Sequence, residues 1–268
     1  DLNGSGTERE LVKLSDTGKN YSIAYHPTVP KLLAACDRRL QIYDTTSGQL
    51  LHETEQDFTS RPLNIAFNMD GTLIAVGTKA EEIYCFEFNL LLSFKWIYKC
   101  AFEANQFQFT LDNDILLSSG PGNVRILSRD GQTLIHDIPC ANGSSLSVAH
   151  CQQYTVVGSA DATVTIFSHT PTSPKNLTTV SVISRPEWPV RHTTLSHDHQ
   201  FLASAGDDRH IDIACMPHGD SVHRVSVDGA ILACRWHPTK YLLAYAPEKV
   251  DKNGRPELIV KIFGYPQL

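Results

Sequence analysis

The sequence contains no run of roughly 18 or more apolar residues, the length a membrane-spanning helix requires. Its most apolar stretch, Leu90 to Tyr98, is about half that length and is interrupted by Lys95. It also lacks a cationic surplus. Lys and Arg number 23 against 29 Asp and Glu, for a net charge of -6, and no basic run is longer than Arg38-Arg39. Such a chain has little with which to neutralise phosphates, so direct nucleic-acid binding is not expected of it. No Cys-x-x-Cys pair occurs among the seven scattered cysteines. That argues against a zinc knuckle or a disulfide framework and for free thiols in a reducing compartment, with Cys36, Cys85 and Cys234 inside apolar runs. There is no G-x-S-x-G elbow, Walker loop or H-E-x-x-H, and Gly120-Pro121-Gly122 lacks the third glycine of a dinucleotide fingerprint. No catalytic residue, cofactor, metal or small-molecule ligand is therefore expected. Helical spacing of apolar residues is missing over any useful length.

What is present is a repeat. Phe67 to Gly77 and Leu195 to Ala205 both read as an apolar strand end, a polar tight turn and a second apolar strand ending in small residues. Tyr25 to Ala35, Phe109 to Ser119, Ala149 to Ser159 and Trp236 to Tyr245 follow the same frame. The lead positions 25, 67, 109, 149, 195 and 236 are 42, 42, 40, 46 and 41 residues apart, matching the roughly 40–45 residue period of WD-repeat propeller blades. A third short strand of period two follows in each unit, as at Leu40 to Asp44, Val124 to Leu127, Val164 to Phe167 and Ile211 to Ile213. The expectation is one all-β WD-repeat propeller domain over residues 1–268, without any Gly-His or Trp-Asp signature dipeptide. Six repeats are visible. Glu10 to Leu14 reads as a lone outer strand, which in a six-bladed ring pairs with Val260 to Phe263.

Polar residues at the turns favour structural work over chemistry. Asp37, Asp161 and Asp208 precede third strands, where a carboxylate accepts backbone N–H groups and tightens a hairpin. His197-Asp198-His199 has metal-ligand residue types, yet occupies the turn that Met69-Asp70-Gly71 fills in the second repeat. His26-Pro27 and His237-Pro238 are equivalent turn positions. His169 to Lys175, with Pro171 and Pro174, reads as a loop between blades.

Two sets of residues are candidates for partner binding. Leu90 to Tyr98 falls where the outer strand of the second unit belongs, and outer strands usually face water with polar side chains. Leu91, Phe94 and Trp96 there mark either an edge packed under a loop of the same molecule or a partner surface. Trp188, Arg191 and Arg235 form the second set. Trp and Arg are enriched at interface hot spots, although Trp188 could equally wedge between blades.

The C-terminal third carries a family resemblance. Ser184 to Arg191, Phe201 to Asp208, His210 to Ala214, Cys234 to Pro238, Leu242 to Ala246 and Val260 to Pro266 resemble the WD-repeat subunit of the THO complex, the subunit 3 family. Trp-Pro-Val-Arg and Ile-Asp-Ile-Ala weigh most, and Gly158 to Ala162 is weaker; Leu90 to Asn105 departs from the family in detail. The resemblance implies seven blades, with most of the first upstream of Asp1, and this is the expectation favoured over six. It also implies a non-enzymatic scaffold in the nucleus that takes part in mRNA packaging and export. Its partners would be other THO subunits, chiefly a large helical one, with no cofactor. The rival readings are a substrate receptor, whose Trp-Asp-x-Arg box is missing here, a scaffold of another nuclear or cytoplasmic complex, or a propeller enzyme.

Overall fold

The computed structural model describes residues 22–29, 31–89, 91–100, 104–119, 122–170, 172–250 and 259–264. They form antiparallel sheets in chain order. The first sheet is β1 (Ser22–Tyr25), β2 (Leu32–Cys36), β3 (Leu40–Asp44) and β4 (Leu50–Glu53). The second is β5 (Pro62–Phe67), β6 (Leu73–Thr78), β7 (Glu82–Asn89) and β8 (Leu91–Lys99). The third is β9 (Ala104–Phe109), β10 (Ile115–Ser119), β11 (Asn123–Leu127) and β12 (Leu134–Pro139). The fourth is β13 (Ser145–His150), β14 (Tyr154–Ser159), β15 (Val164–Thr170) and β16 (Ser173–Ile183). The fifth is β17 (Val190–Leu195), β18 (Phe201–Gly206), β19 (His210–Cys215) and β20 (Asp220–Ser226). The last has three strands, β21 (Ile231–Trp236), β22 (Leu242–Pro247) and β23 (Lys261–Gly264).

Five complete blades are thus present among the described residues, not the six or seven expected, beside one three-stranded sheet. The 42-residue period marks the leading hairpin of each unit, β1–β2 through β21–β22, and a hairpin can recur without a fourth strand behind it. Glu10 to Leu14 lies outside the described residues, as does any pairing it makes. A second correction concerns His169 to Lys175. It is a hairpin within the fourth blade, with Thr170 opposite Ser173, because its hydroxyl residues continue the β15 and β16 strands. The β16 edge tolerates a proline that an inner strand would not.

The chain clusters into two compact units, Asp1–Ala104 and Asn105–Leu268. Within each blade, burial follows strand position. The second strands β6, β14 and β18 (LIAVGT, YTVVGS, FLASAG) are buried along nearly their whole length, so they read as continuous runs rather than alternations. Fourth strands are open: β20 has a single buried residue and β8 none. In the first unit Ile42, Ile74, Val76, Tyr84 and Phe86 share one apolar cluster. In the second, Ile166, Ile183, Val190 and Leu202 form one cluster, and Ile211, Ile213, Ile231 and Leu243 another.

The repeat is visible in the hydrogen bonds between blades of the second unit. The Val148 N–H donates to Gln106 Oε1 at 2.9 Å, His150 N–H to Gln108 Oε1 at 2.8 Å, and Trp236 N–H to Thr194 Oγ1 at 3.3 Å. Each pair is 42 residues apart, so the sequence period is also the spacing at which one inner strand grips the next.

Turns are built by a recurring short polar residue with an Asp two positions on. Asn68 Oδ1 accepts the Leu73 N–H and Asp70 Oδ1 the Thr72 N–H, both at 2.9 Å. Ser128 with Asp130, and Ser196 with Asp198, repeat this arrangement. The residue after each Asp has positive φ: Gly71 at 79°, Gly131 at 69° and His199 at 62°. A Cβ at Gly71 would lie 2.1 Å from the buried His26 ring, so glycine is required there on two counts.

The third-strand carboxylates divide. Asp161 Oδ1 accepts the Thr163 N–H at 3.2 Å and its Oδ2 the Asn142 N–H at 2.8 Å. For Asp37 only a backbone bond is recorded, from its N–H to the Arg39 carbonyl at 3.3 Å, while Asp208 is buried. His26 Nδ1 and His237 Nδ1 each accept the N–H of a following threonine, at 3.3 and 3.1 Å, which makes the two His-Pro turns equivalent in structure as well as in sequence. None of the cysteines is in a disulfide; Cys36, Cys85, Cys100, Cys151 and Cys234 are buried and Cys140 and Cys215 partly so. Burial pushes the Cys85 and Cys234 thiols up to about 12, which leaves them protonated and unreactive at neutral pH.

Candidate partner-binding surfaces

β8 is the outer strand of its blade, paired with β7 through Glu82↔Lys99 to Asn89↔Leu91. Leu91 is 71% exposed and Phe94 55%. Trp96 is half-buried opposite Cys85. The pairing slips between Cys85 and Phe86, and the bulged residue is Lys95, whose Nζ lies 2.5 Å from Glu87. A bulge carrying a charge breaks the regular row of backbone donors and acceptors that an added strand needs. The edge is therefore apolar in its side chains and blunted in its backbone.

Beside β8 the first unit has a groove of about 580 Å³. Its floor is aromatic. Phe58 meets Tyr84 edge-on at 5.0 Å and Phe86 at 6.3 Å, and Phe86 meets Phe94 at 5.9 Å. Leu92 and Ile97 of β8 complete it. The opposite wall is the connection from Glu53 to Thr59. That wall is fastened at several points: the Phe58 N–H donates to the Arg38 carbonyl at 2.8 Å, Thr59 Oγ1 donates to Glu82, and the Tyr84 hydroxyl donates to Glu82 at 2.8 Å. Burial and the Glu82 carboxylate raise the Tyr84 pKa, so it remains a donor.

The rim carries three carboxylates against two arginines. Arg39 bridges Glu53 at 3.3 Å and Asp57 at 2.7 Å, Arg38 lies 3.2 Å from Asp57, and the Arg39 bond holds the Asp57 carboxyl below its usual range. Glu55 is exposed and makes no ion pair among the described residues. Sequence reasoning found the β8 side of this groove through its apolar run. It missed Phe58, Tyr84, Phe86 and the acidic wall, which come from other strands and connections.

The second candidate set lies in the other unit. Trp188 is 58% exposed on the connection between β16 and β17, which rules against a buried wedge. Arg191 is held by a two-pronged pair with Asp207, Nε to Oδ1 at 2.7 Å and Nη2 to Oδ2 at 2.9 Å. Arg235 donates to the Thr193 carbonyl at 3.4 Å. His192 sits near both guanidinium groups; burial first, then Arg235 and Arg191, lower its pKa to about 4. The structure therefore brings Arg191 and Arg235 together around His192, with Arg191 already satisfied by its carboxylate.

The same unit holds the His197-Asp198-His199 turn. Desolvation raises the Asp198 pKa, but hydrogen bonds from Tyr241, Ser196 and Gln200 outweigh it and bring it to about 2. Both carboxylate oxygens are used within the fold, Oδ1 by Ser196 and Gln200 and Oδ2 by Tyr241. The His197 ring meets the Tyr241 ring at a tilt of 57°, with ring centres 4.8 Å apart.

No protein-family model matches the chain. It is 26% identical to THO complex subunit 3 of Arabidopsis thaliana over 98% of this chain and 82% of that protein. It is 25% identical to WD repeat-containing protein AAC3 of Dictyostelium discoideum, covering 96% of this chain and 54% of that protein. Among solved structures it superposes on the β-propeller domain of Cps50 (Swd1) from Myceliophteria thermophila with a TM-score of 0.75. That likeness spans 91% of this chain and 83% of that one at 13% identity. The chain is an all-β WD-repeat propeller protein related to THO complex subunit 3, and these relatives are propeller proteins with no enzyme family among them.

Proposed function

We propose that residues 1–268 form a single propeller domain acting as a non-enzymatic scaffold subunit of a THO-type complex in the nucleus. In this role it serves mRNA packaging and export by docking on other THO subunits, chiefly a large helical one. The observation that carries this reading is the relationship to THO complex subunit 3 across 98% of the chain. The exposed apolar edge of β8 supports it, since a strand that faces only water gains nothing from Leu91 and Phe94. Trp188, Arg191 and Arg235 form a second contact in the same proposal.

The test is reconstitution. The purified chain mixed with the large helical THO subunit of the same organism should co-elute in gel filtration. Leu91→Asp and Phe94→Asp should remove the joint peak while each variant still unfolds cooperatively, Phe94→Asp with a modestly lowered melting temperature from the lost Phe86 contact. Absence of co-elution by the unaltered chain overturns the reading. So does sub-micromolar binding of single-stranded RNA by the chain alone at physiological salt, falling steeply with added salt, because the propeller would then itself be an RNA reader.

A further inference from the structure

We propose that the groove between the Glu53 to Thr59 connection and β8 receives an amphipathic helix of a partner chain, one with an apolar stripe flanked by Lys or Arg. The inference rests on the scaffold reading above and adds the chemistry of the partner at this site.

Three observations select that occupant. The first is the shape and stiffness of the floor. Phe58, Tyr84, Phe86 and Phe94 interlock edge to face, and the Phe58 backbone is tied to Arg38, so the groove is formed before anything enters it. A preformed apolar site spares its ligand the cost of ordering the receptor. The second is charge. The charged residues lining the groove are Glu53, Glu55 and Asp57, and none is cationic. Arg39 occupies Glu53 and Asp57, and Arg38 lies 3.2 Å from Asp57, which leaves Glu55 as the lining carboxylate with no ion pair among the described residues. A second copy of this chain, with its net charge of -6, is a poor match for an acidic rim. The third is the edge of β8. The bulge at Lys95 and its bond to Glu87 work against strand addition, so recognition proceeds through side chains dropped into the groove. From Leu92 to Ile97 the strand advances roughly 17 Å, the length of about three helical turns. Over that distance residues i, i+3, i+4 and i+7 of a helix present one apolar stripe.

The probes are three labelled peptides of roughly 12 residues. One carries leucine at i, i+3, i+4 and i+7 on a lysine background, one has the same composition scrambled, and one replaces lysine with glutamate. Each is titrated by fluorescence anisotropy into the full chain at physiological salt. The ordered leucine–lysine peptide should bind about tenfold more tightly than either of the others. Phe94→Ser should weaken it about tenfold, and Glu55→Lys should weaken it while strengthening the glutamate peptide. Variant melting curves establish that the folds survive.

Equal binding of ordered and scrambled peptides, no binding by the ordered one, or indifference to both substitutions overturns the proposal. A concentration-dependent dimer abolished by Phe94→Ser would reassign the groove to a second copy. If the chain co-elutes with the THO subunit and Phe94→Ser and Glu55→Lys leave that complex intact, this inference fails while the scaffold reading stands.

Discussion

β8 and β20 hold the same place in their blades, each the fourth strand and each largely exposed, yet their chemistry differs. On β20 the polar side chains have work inside the fold. Ser221 donates to Asp212, Arg224 lies 3.6 Å from the same carboxylate, and His223 stacks on Phe263 at 5.0 Å. Asp212 also accepts Arg185 at 2.7 Å, so one carboxylate that is almost fully buried ties the β20 edge to the connection before β17. On β8 the charged residues stay within their own hairpin, Lys95 on Glu87 and Lys99 near Glu82. Leu92, Phe94 and Ile97 line the groove, and Leu91 faces solvent. Exposure alone does not distinguish a structural edge from a contact edge. What distinguishes them is whether the exposed groups find partners within the molecule.

The largest expected effect comes from breaking the β20 anchor. Asp212→Ala removes the acceptor of Arg185, Ser221 and Arg224 together. Breaking a buried pair typically costs about 3–5 kcal/mol. Because the Arg185 side chain is 34% exposed, the low end applies, about 3 kcal/mol in urea-induced unfolding. A loss below about 1 kcal/mol would show that the edge is not held by this carboxylate.

A smaller effect separates the two units by pH. His150 has a pKa lowered to about 3 by burial and by its stacking neighbour His169, 4.8 Å away, and His192 is lowered to about 4. Since the unfolded histidines titrate near 6.5, the unfolded state binds more protons at acid pH. Their neutral forms therefore support the fold fully above that pH, and the support declines as pH falls toward 4. One pKa unit corresponds to about 1.4 kcal/mol, and discounting for partial exposure gives a loss of about 2 kcal/mol at pH 5. In the first unit His26 shifts the same way, again through burial. Hydrogen-exchange protection, corrected for the slower intrinsic exchange at acid pH, should fall more from pH 7 to pH 5 across β13 to β17 than across β5 to β7. An equal fall in protection, or His150→Asn leaving the pH dependence unchanged, contradicts this.

Much of the fold was legible because the repeat is written in its turns. Asn68 with Asp70 and Ser196 with Asp198 close the same hairpin, and polar residues ahead of an apolar run are what the eye finds in sequence. The β8 surface was legible for the opposite reason, as an apolar run where polarity was due. The Glu53 to Thr59 wall was not, since it reads as an ordinary polar connection and becomes a wall only when Thr59 and Tyr84 converge on Glu82. The Arg185–Asp212 tie escaped for a similar reason: its halves are 27 residues apart and no local pattern links them. Proline misled at Pro174, which lies in the outer strand β16, where an edge admits what an inner strand would reject. The blade count was overstated because a period records hairpins, and the sixth sheet has its hairpin but only three described strands.

The smallest expected effect on stability gives the most direct test of the comparison. Leu91 on β8 is 71% exposed and Val222 on β20 is 52% exposed, so neither has much apolar area to lose. At roughly 25 cal/mol per Å² of buried apolar surface, Leu91→Ser and Val222→Ser should each cost less than about 1 kcal/mol, barely moving the melting temperature. Their effects on assembly should diverge. Leu91→Ser should reduce co-elution with the helical THO subunit, and Val222→Ser should leave it intact, because of these two outer strands β8 alone is expected to lie in a contact. If Phe94→Asp abolishes assembly while Leu91→Ser does not, the contact is confined to the groove face that Phe94 lines. If both serine variants weaken assembly equally, the outer strands are interchangeable and the contrast between the two edges has no functional meaning.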